Sequence, residues 1–434
     1  MNLDTDIKIL AAGMENALRE RRRDLHRYPE PGWAEFRTAS VVITRLKELG
    51  CEVEFGRAVI DESERTCVPE ESFLAERQKT AQSEGASAVL LAEMSGGYTG
   101  VVATLATGRP GKTVALRFDM DCVDVAEATD IEHRPYREGF ASRHQGFMHA
   151  CGHDGHTCVG LGVAEVLMKL KDKLSGKIKF IFQPCEEKAS GARAMVAKGV
   201  VDDADYVIGM HFFMPAIGFL AYEVQNILFV SGINADFKGV ASHAGGVPEK
   251  GKNALLAAST AALNLHAIAR HSGGGSRINV GILNAGTGRN VVPATAHMEF
   301  ETRGVTAEVN AFMREQACRI IKGAAAMYDV DVDITPVFGA PGGTNSAELA
   351  TKIRDTATRL KIFDQVTNRF NMCGSEDFTC FMQRLQQMGK QAAFIVFGAS
   401  PAAVNHNELF DFDEHAMVLA VELLSVTAAD LARE

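Results

Sequence analysis

The chain has 434 residues, 46% hydrophobic and 23% charged, an ordinary globular balance that at ~100–200 residues per domain accommodates two or three domains. Its net charge of −10 excludes the basic face that nucleic-acid binding needs. No apolar run reaches the ~20 residues of a membrane span, so neither nucleic acid nor a membrane is expected as a partner.

The first thirty residues put acids before a basic amphipathic stretch, the wrong order for a secretory signal. The nine cysteines (51, 67, 122, 151, 158, 185, 318, 373 and 380) are odd in number and scattered. That usage predicts cytoplasmic thiols and no disulfide framework.

Residues 6–25 read as an amphipathic helix, and 34–50 as a second, stopped by Gly50. The stretch 55–98 is polar and weakly periodic, with one or two surface helices within 70–94. Strands follow at 100–106 and 112–120. Next come a helix at 160–173, a strand at 176–184, a helix at 191–199 and a strand at 204–213. Strands alternating with helices predict an α/β fold with a doubly wound, mostly parallel sheet.

Near 230 the rhythm changes. Strand 229–241, helix 253–271, strands 277–286 and 294–304, helix 307–329 and strand 330–338 give β-α-β-β-α-β, the ferredoxin-like order. Residues 230–337 therefore read as a small α+β domain inserted into a larger one formed by 1–229 and 338–434. The larger one resumes with a helix at 347–360 and a strand at 391–399, and closes on a helix at 415–433.

Polar clusters recur just after the carboxyl ends of strands: "RFDMD", "FQPCEE", His211 after "ADYVIGM", and "VNHNE" after "AAFIVFG". Open α/β sheets bind ligands in the crevice outside those ends. With "HACGHDGH" they supply Cys151, His153, Glu186, Glu187, His211 and His406, thiolate, imidazole and carboxylate donors suited to zinc or manganese. Six donors are enough for two ions about 3.5–4 Å apart, which would need a bridging ligand. The adjacent glutamates suggest one ligand and one general base. Asp119 and Asp154 suit a supporting role, accepting N–H bonds from the ligand histidines. Asp121 could do the same or simply end its strand. His144, His149 and His156 have no clear ligand role.

The inserted domain adds His243 in the Gly-rich loop "VASHAGGVPEKGKNA", Arg289 and Asn290 in "GTGRNVVP", and Arg303 at the end of a strand. A developing oxyanion needs such donors, and an anionic substrate tail needs an arginine or lysine. Ordinary turn chemistry would account for the same residues equally well.

These motifs, with "RRDLHRYPEPGWAEFRTA" and "GSEDF", resemble the amidohydrolase branch of the di-metal aminoacylase and carboxypeptidase family, in order from about residue 17 onward. The insert at 55–98 and "HRPYREGFAS" resemble the subgroup acting on p-aminobenzoyl-glutamate. The resemblance implies a catalytic domain and a ferredoxin-like lid that also dimerises. It implies two metals, zinc or manganese, held by Cys151, His153, Glu187, His211 and His406, with Cys151 as the bridge. Glu186 then matches the general base, and His243 a lid histidine that reaches the partner's site. Asn290 and Arg303 match lid residues that contact substrate.

The chain departs from wider relatives at Arg117, where many have a histidine ligand, at Cys151, which replaces an aspartate bridge, and at Cys185 and Lys188. The activity implied is hydrolysis of an amide between an acyl or aroyl group and an amino acid, such as p-aminobenzoyl-glutamate or another N-acyl acidic amino acid. Alternatives are indole-acetyl- or benzoyl-amino-acid conjugates as substrates, and a weakly active partner in a heterodimer. The implied assembly is either a homodimer or a heterodimer with a related chain. A thiol hydrolase using Cys151 and His153 is a further alternative, although a thiolate among these donors is better suited to binding metal.

Overall fold

The structure, a computed structural model, describes residues 2–434. The chain forms two compact units: one made of residues up to Gln225 with Thr344–Met372 and Asp377–Glu434, the other of Asn226–Gly343 with Cys373–Glu376.

The larger unit is built on an eight-stranded sheet. Its order is Glu52–Phe55, Val101–Ala106, Lys177–Gln183, Thr113–Asp119, Tyr206–Phe213, Gln391–Gly398, Phe219–Ala221 and Gln365–Thr367. The four middle strands run parallel. Antiparallel pairs flank them on both sides. All seven residues of Thr113–Asp119 are buried, because helices on both faces of a parallel sheet leave no strand position to solvent. From Thr113–Asp119 the chain passes to Lys177–Gln183 on one side and then to Tyr206–Phe213 on the other. Winding reverses there, so the crevice lies at the carboxyl end of Thr113–Asp119.

Helix His153–Lys169 is buried over nearly its whole length. A Cβ at Gly160 would lie 2.6 Å from the Phe118 ring, so glycine lets this helix sit down on the sheet.

Several elements differ from the sequence expectation. The first helix is two, Leu3–Gly13 and Glu15–Arg27, separated at Met14. The helix expected from 160 begins at His153: Gly152, at φ 91°, turns the chain in, and Asp154 in the first turn accepts the Gly155 N–H at 2.8 Å. Strands of two to four residues, such as Glu52–Phe55, Phe219–Ala221 and Phe370–Asn371, were not anticipated, nor was helix Thr379–Gln387. They are too short to show a period.

The smaller unit has a four-stranded antiparallel sheet, ordered Asp331–Ala340, Phe229–Lys238, Thr295–Gly304 and Ser276–Ala285. Helices Ala254–His266 and Ala307–Met327 supply Ala257, Ala261, Met313, Ala317 and Ile321 to one core with Ile233, Phe237, Met298 and Phe300. Thr295–Gly304 alternates buried and open positions, as a sheet covered on one face must. Among the described residues no helix is long and apolar enough to cross a membrane.

Candidate metal centre

The carboxyl ends of the parallel strands carry the cluster. His211 lies on Tyr206–Phe213, and Glu186 and Glu187 follow Lys177–Gln183. Cys151 precedes helix His153–Lys169, and His153 opens it. His406 arrives on a loop after Gln391–Gly398, at φ 68°, where its N–H donates to the Ala150 carbonyl at 2.7 Å.

Among the described residues five groups of donors could each hold a metal ion, Glu186 falling in two of them (with His153 and Glu187, and with Glu376 and Asp377), and Cys151 is shared by two others. One of the Cys151 pair is Cys151, His153 and His211; the other is Cys151, Glu187 and His406. Within each, the donor atoms lie within 4.8 Å of one another. Cys151 Sγ is 3.4 Å from His211 Nε2, and His406 Nε2 is 3.2 Å from Glu187 Oε2. His153 Nε2 lies 3.7 Å from Glu187 Oε1 and 3.9 Å from Glu186 Oε2.

Two of the three candidate ligand histidines are oriented from behind by backbone. His153 Nδ1–H donates to the Asp121 carbonyl at 2.9 Å, and His211 Nδ1–H to the Phe212 carbonyl at 2.7 Å. Nε2 is therefore the ring nitrogen that each turns toward the cluster. Burial keeps His211 neutral, well below the ordinary histidine range.

The donor set fits divalent cations. His153 Nε2 and Glu187 Oε1 are buried with no hydrogen-bond partner among the described residues. Each such atom costs about 1–3 kcal/mol unless something satisfies it. The cluster is also short of positive charge. Hydrogen bonds to Cys151 and Glu187 push His406 up to about 10, and Asp119 and Cys151 outweigh burial to raise His153.

The supporting residues differ from expectation. Asp119 accepts from His156 Nδ1 at 2.6 Å and Arg117 Nη1 at 2.5 Å, not from a ligand histidine. His156 Nε2 in turn accepts the Phe212 N–H at 3.0 Å, so both its nitrogens are committed and it is no ligand here. Asp154 takes Arg22 Nε and His26 Nδ1, each at 2.8 Å, and so ties helix Glu15–Arg27 to the start of helix His153–Lys169. The expected N–H bonds went to carbonyls because strand ends and helix starts already present them.

Arg117 is fully buried and pairs with Asp119, Gln183 and Asp377. A permanently protonated guanidinium offers no lone pair, so this position is no longer a ligand site.

Sequence reasoning gave no role to Arg22, His26 or Asp377. Arg22 and His26 share a face of their helix with buried Leu18 and Leu25, an i, i+4 pairing of polar groups inside an apolar stripe that could have flagged them. His149 is buried, and burial pushes it down to about 3. Cys185 is buried below Gly32, where an added Cβ would come within 2.6 Å of its sulfur. The 55–98 insert reaches this turn: Thr66 N–H donates to Ser190 Oγ at 3.0 Å, and Arg193 pairs with Glu64 at 2.5 Å.

In the smaller unit His243 is exposed and held by its own loop. Its Nδ1 accepts the Gly245 and Gly246 N–H groups at 3.2 and 2.9 Å. That sets the tautomer and leaves Nε2–H as a donor directed away from the loop. Ala244 N–H donates to the Asn290 carbonyl at 3.0 Å, so the two loops are neighbours. Arg289 and Asn290 are exposed. Arg303 is half-buried, forked onto Glu301 at 2.8 and 3.0 Å.

A mostly parallel α/β unit with clustered metal donors at its switch point defines a hydrolase scaffold of the metallopeptidase type. Residues 115–430 match the model of peptidase family M20/M25/M40, and the chain belongs to that family. It is 50% identical over 410 residues to the indole-3-acetyl-aspartic acid hydrolase of Enterobacter agglomerans. It is 48% identical over 410 residues to one of the subunits of p-aminobenzoyl-glutamate hydrolase from Escherichia coli K12. Each alignment covers 94% of both chains.

The crystal structure of an aminobenzoyl-glutamate utilization protein from Klebsiella pneumoniae superposes with a TM-score of 0.84 at 40% identity, covering 98% of each chain. A dinuclear metal-binding peptidase of the M20 family from Bacillus subtilis superposes with a TM-score of 0.69 at 25% identity, over 97% of this chain and 99% of that one. By family and relatives the chain is a metallo-amidohydrolase.

Proposed function

We propose that the chain hydrolyses the amide bond of an N-acyl acidic amino acid, with p-aminobenzoyl-glutamate as the leading substrate and indole-acetyl- or benzoyl-amino-acid conjugates as alternatives. The observation that carries this reading is the sulfur of Cys151, common to two donor triads. Cys151, His153 and His211 would hold one divalent ion, and Cys151, Glu187 and His406 the other, zinc or manganese by donor type. Such ions, when bound, polarise a carbonyl and bring the pKa of water to about 7.

Glu186 lies beside this cluster and is not needed to complete either triad. It takes the water proton and delivers it to the leaving amine nitrogen. His243 Nε2–H donates to the developing oxyanion, from the partner chain in a dimer. Asn290, Arg289 and Arg303 contact the substrate, and an arginine binds its free carboxylate. Arg303 must first exchange its fork with Glu301.

A cytoplasmic setting is supported by the free thiols of Cys51, Cys122, Cys151, Cys158, Cys185 and Cys318. The test is Glu186→Gln assayed on p-aminobenzoyl-glutamate and indole-acetyl-aspartate with added manganese or zinc. A loss of about 10²–10⁴-fold in kcat with metal content unchanged is expected; full activity refutes the assignment.

A second reading, a weakly active member of a heterodimer, is favoured by the Escherichia coli relative, which is named as one subunit of its enzyme. Slow turnover alone, and fast turnover only with a related chain, would establish it.

A further inference from the structure

Asp121 follows strand Thr113–Asp119, is fully buried, and has no part in the chemistry proposed above. Its Oδ1 accepts the Glu186 N–H at 3.0 Å, and its Oδ2 accepts the Glu187 N–H at 3.0 Å. Its backbone carbonyl accepts His153 Nδ1–H at 2.9 Å. One residue thus meets the base, one carboxylate ligand and one imidazole ligand.

We propose that Asp121 is a positioning residue that sets the Glu186 and Glu187 carboxylates for reaction. The proposal rests on the reading of Glu186 as base and of Glu187 and His153 as ligands.

The turn it grips would not hold its shape alone. Cys185 and Ala189 have φ of 53° and 46°, a region that side chains other than glycine rarely adopt. Such backbone persists only where its surroundings over-determine it. Glu35 Oε1 accepts the Cys185 N–H at 2.8 Å at one end of the turn. The Ala189 N–H closes the other end on the Glu186 carbonyl at 2.7 Å. Between them, two successive N–H groups converge on the Asp121 carboxylate as charge-assisted bonds.

That task needs two acceptor oxygens. Asparagine would set its own NH₂ against one of the two N–H groups. Freed from the clamp, neighbouring side chains could exchange directions, and the base would no longer be kept apart from the ligand.

Kinetics and metal binding of Asp121→Asn, in native and Glu186→Gln backgrounds, test this. In the native background kcat is expected to fall about 100-fold with KM within about threefold, the size of effect that a displacement near 1 Å produces. Chelator competition is expected to show metal held about 10–100-fold more weakly. At saturating metal, the same change in the Glu186→Gln background is expected to alter residual kcat by less than about threefold, because the base is gone and the effect on Glu187 is read in metal affinity instead. Unchanged kcat in the native background, or the same loss in both, overturns the proposal. Glu186→Gln with full kcat refutes the assignment of the base instead.

Hydrogen exchange on the native chain covers the case of a variant that does not fold. The Glu186 and Glu187 amides are expected to exchange at least about 100-fold slower than unprotected ones. Exchange at unprotected rates also overturns the proposal.

Discussion

The metal cluster of the larger unit and the loops of the smaller one carry the same kinds of residue, histidines, arginines and acids, in opposite states. Around Cys151, His153 and His211 are buried and held by carbonyls, Glu186 and Glu187 are half-buried with their N–H groups on Asp121, and His406 alone is exposed. His243, Arg289 and Asn290 are exposed, and His243 is steadied only by its own loop. On the proposed assignment, most groups that confine charge before substrate arrives are over-determined, whereas groups that meet the substrate keep an open face. Preorganisation and adaptability have been divided between two sheets.

Removing the atom shared by both triads should give the largest effect. Cys151→Ala is expected to lower bound metal from about two ions to below one per chain and to reduce kcat about 1,000-fold or more, several kcal/mol at about 1.4 per decade. Metal analysis alongside kinetics checks this. If the open loop acts only on substrate, His243→Ala should cost about 10²–10³ in kcat and leave metal content unchanged. A loss of metal there would erase the contrast.

Asp154 sharpens the comparison from the other side. It adjoins a ligand but faces Arg22 and His26. Asp154→Asn is therefore expected to destabilise the chain by about 3–5 kcal/mol, the effect of breaking a buried pair, with kcat changed less than stability. Thermal unfolding and kinetics on one preparation separate the two.

A smaller effect concerns pH. Hydrogen bonds to Cys151 and Glu187 raise His406 to about 10 in the metal-free chain, so near neutral pH it carries a proton that a metal must displace. Metal affinity should accordingly rise with pH below that value, by up to about tenfold per unit for each proton released. Calorimetry in buffers of different ionisation enthalpy counts those protons, and a pH-independent affinity would contradict the reading.

Much of this contrast was legible in the sequence. Strands alternating with helices announced the mostly parallel sheet of the larger unit, and the β-α-β-β-α-β order announced the smaller one. Strand-end placement together with the "HACGHDGH" motif drew Cys151, His153, Glu186, Glu187, His211 and His406 into one set of donors, from which the family resemblance picked the five ligands. What stayed hidden depended on backbone direction. The histidine N–H groups were expected to reach Asp119 and Asp154 and instead found carbonyls, because acceptor identity follows from turn geometry that residue types do not encode. Asp121 grips two amides of a turn in which Cys185 adopts a positive φ, a conformation that residue types do not announce. Arg22 and His26 lie more than a hundred positions from Asp154, too far for spacing to connect them.

The most direct test is anomalous diffraction from crystals of the manganese- or zinc-loaded chain. Two peaks about 3.5–4 Å apart, both within bonding distance of Cys151 Sγ, are the expected result. A single peak, or two peaks with Cys151 bound to neither, would contradict a centre built around its sulfur.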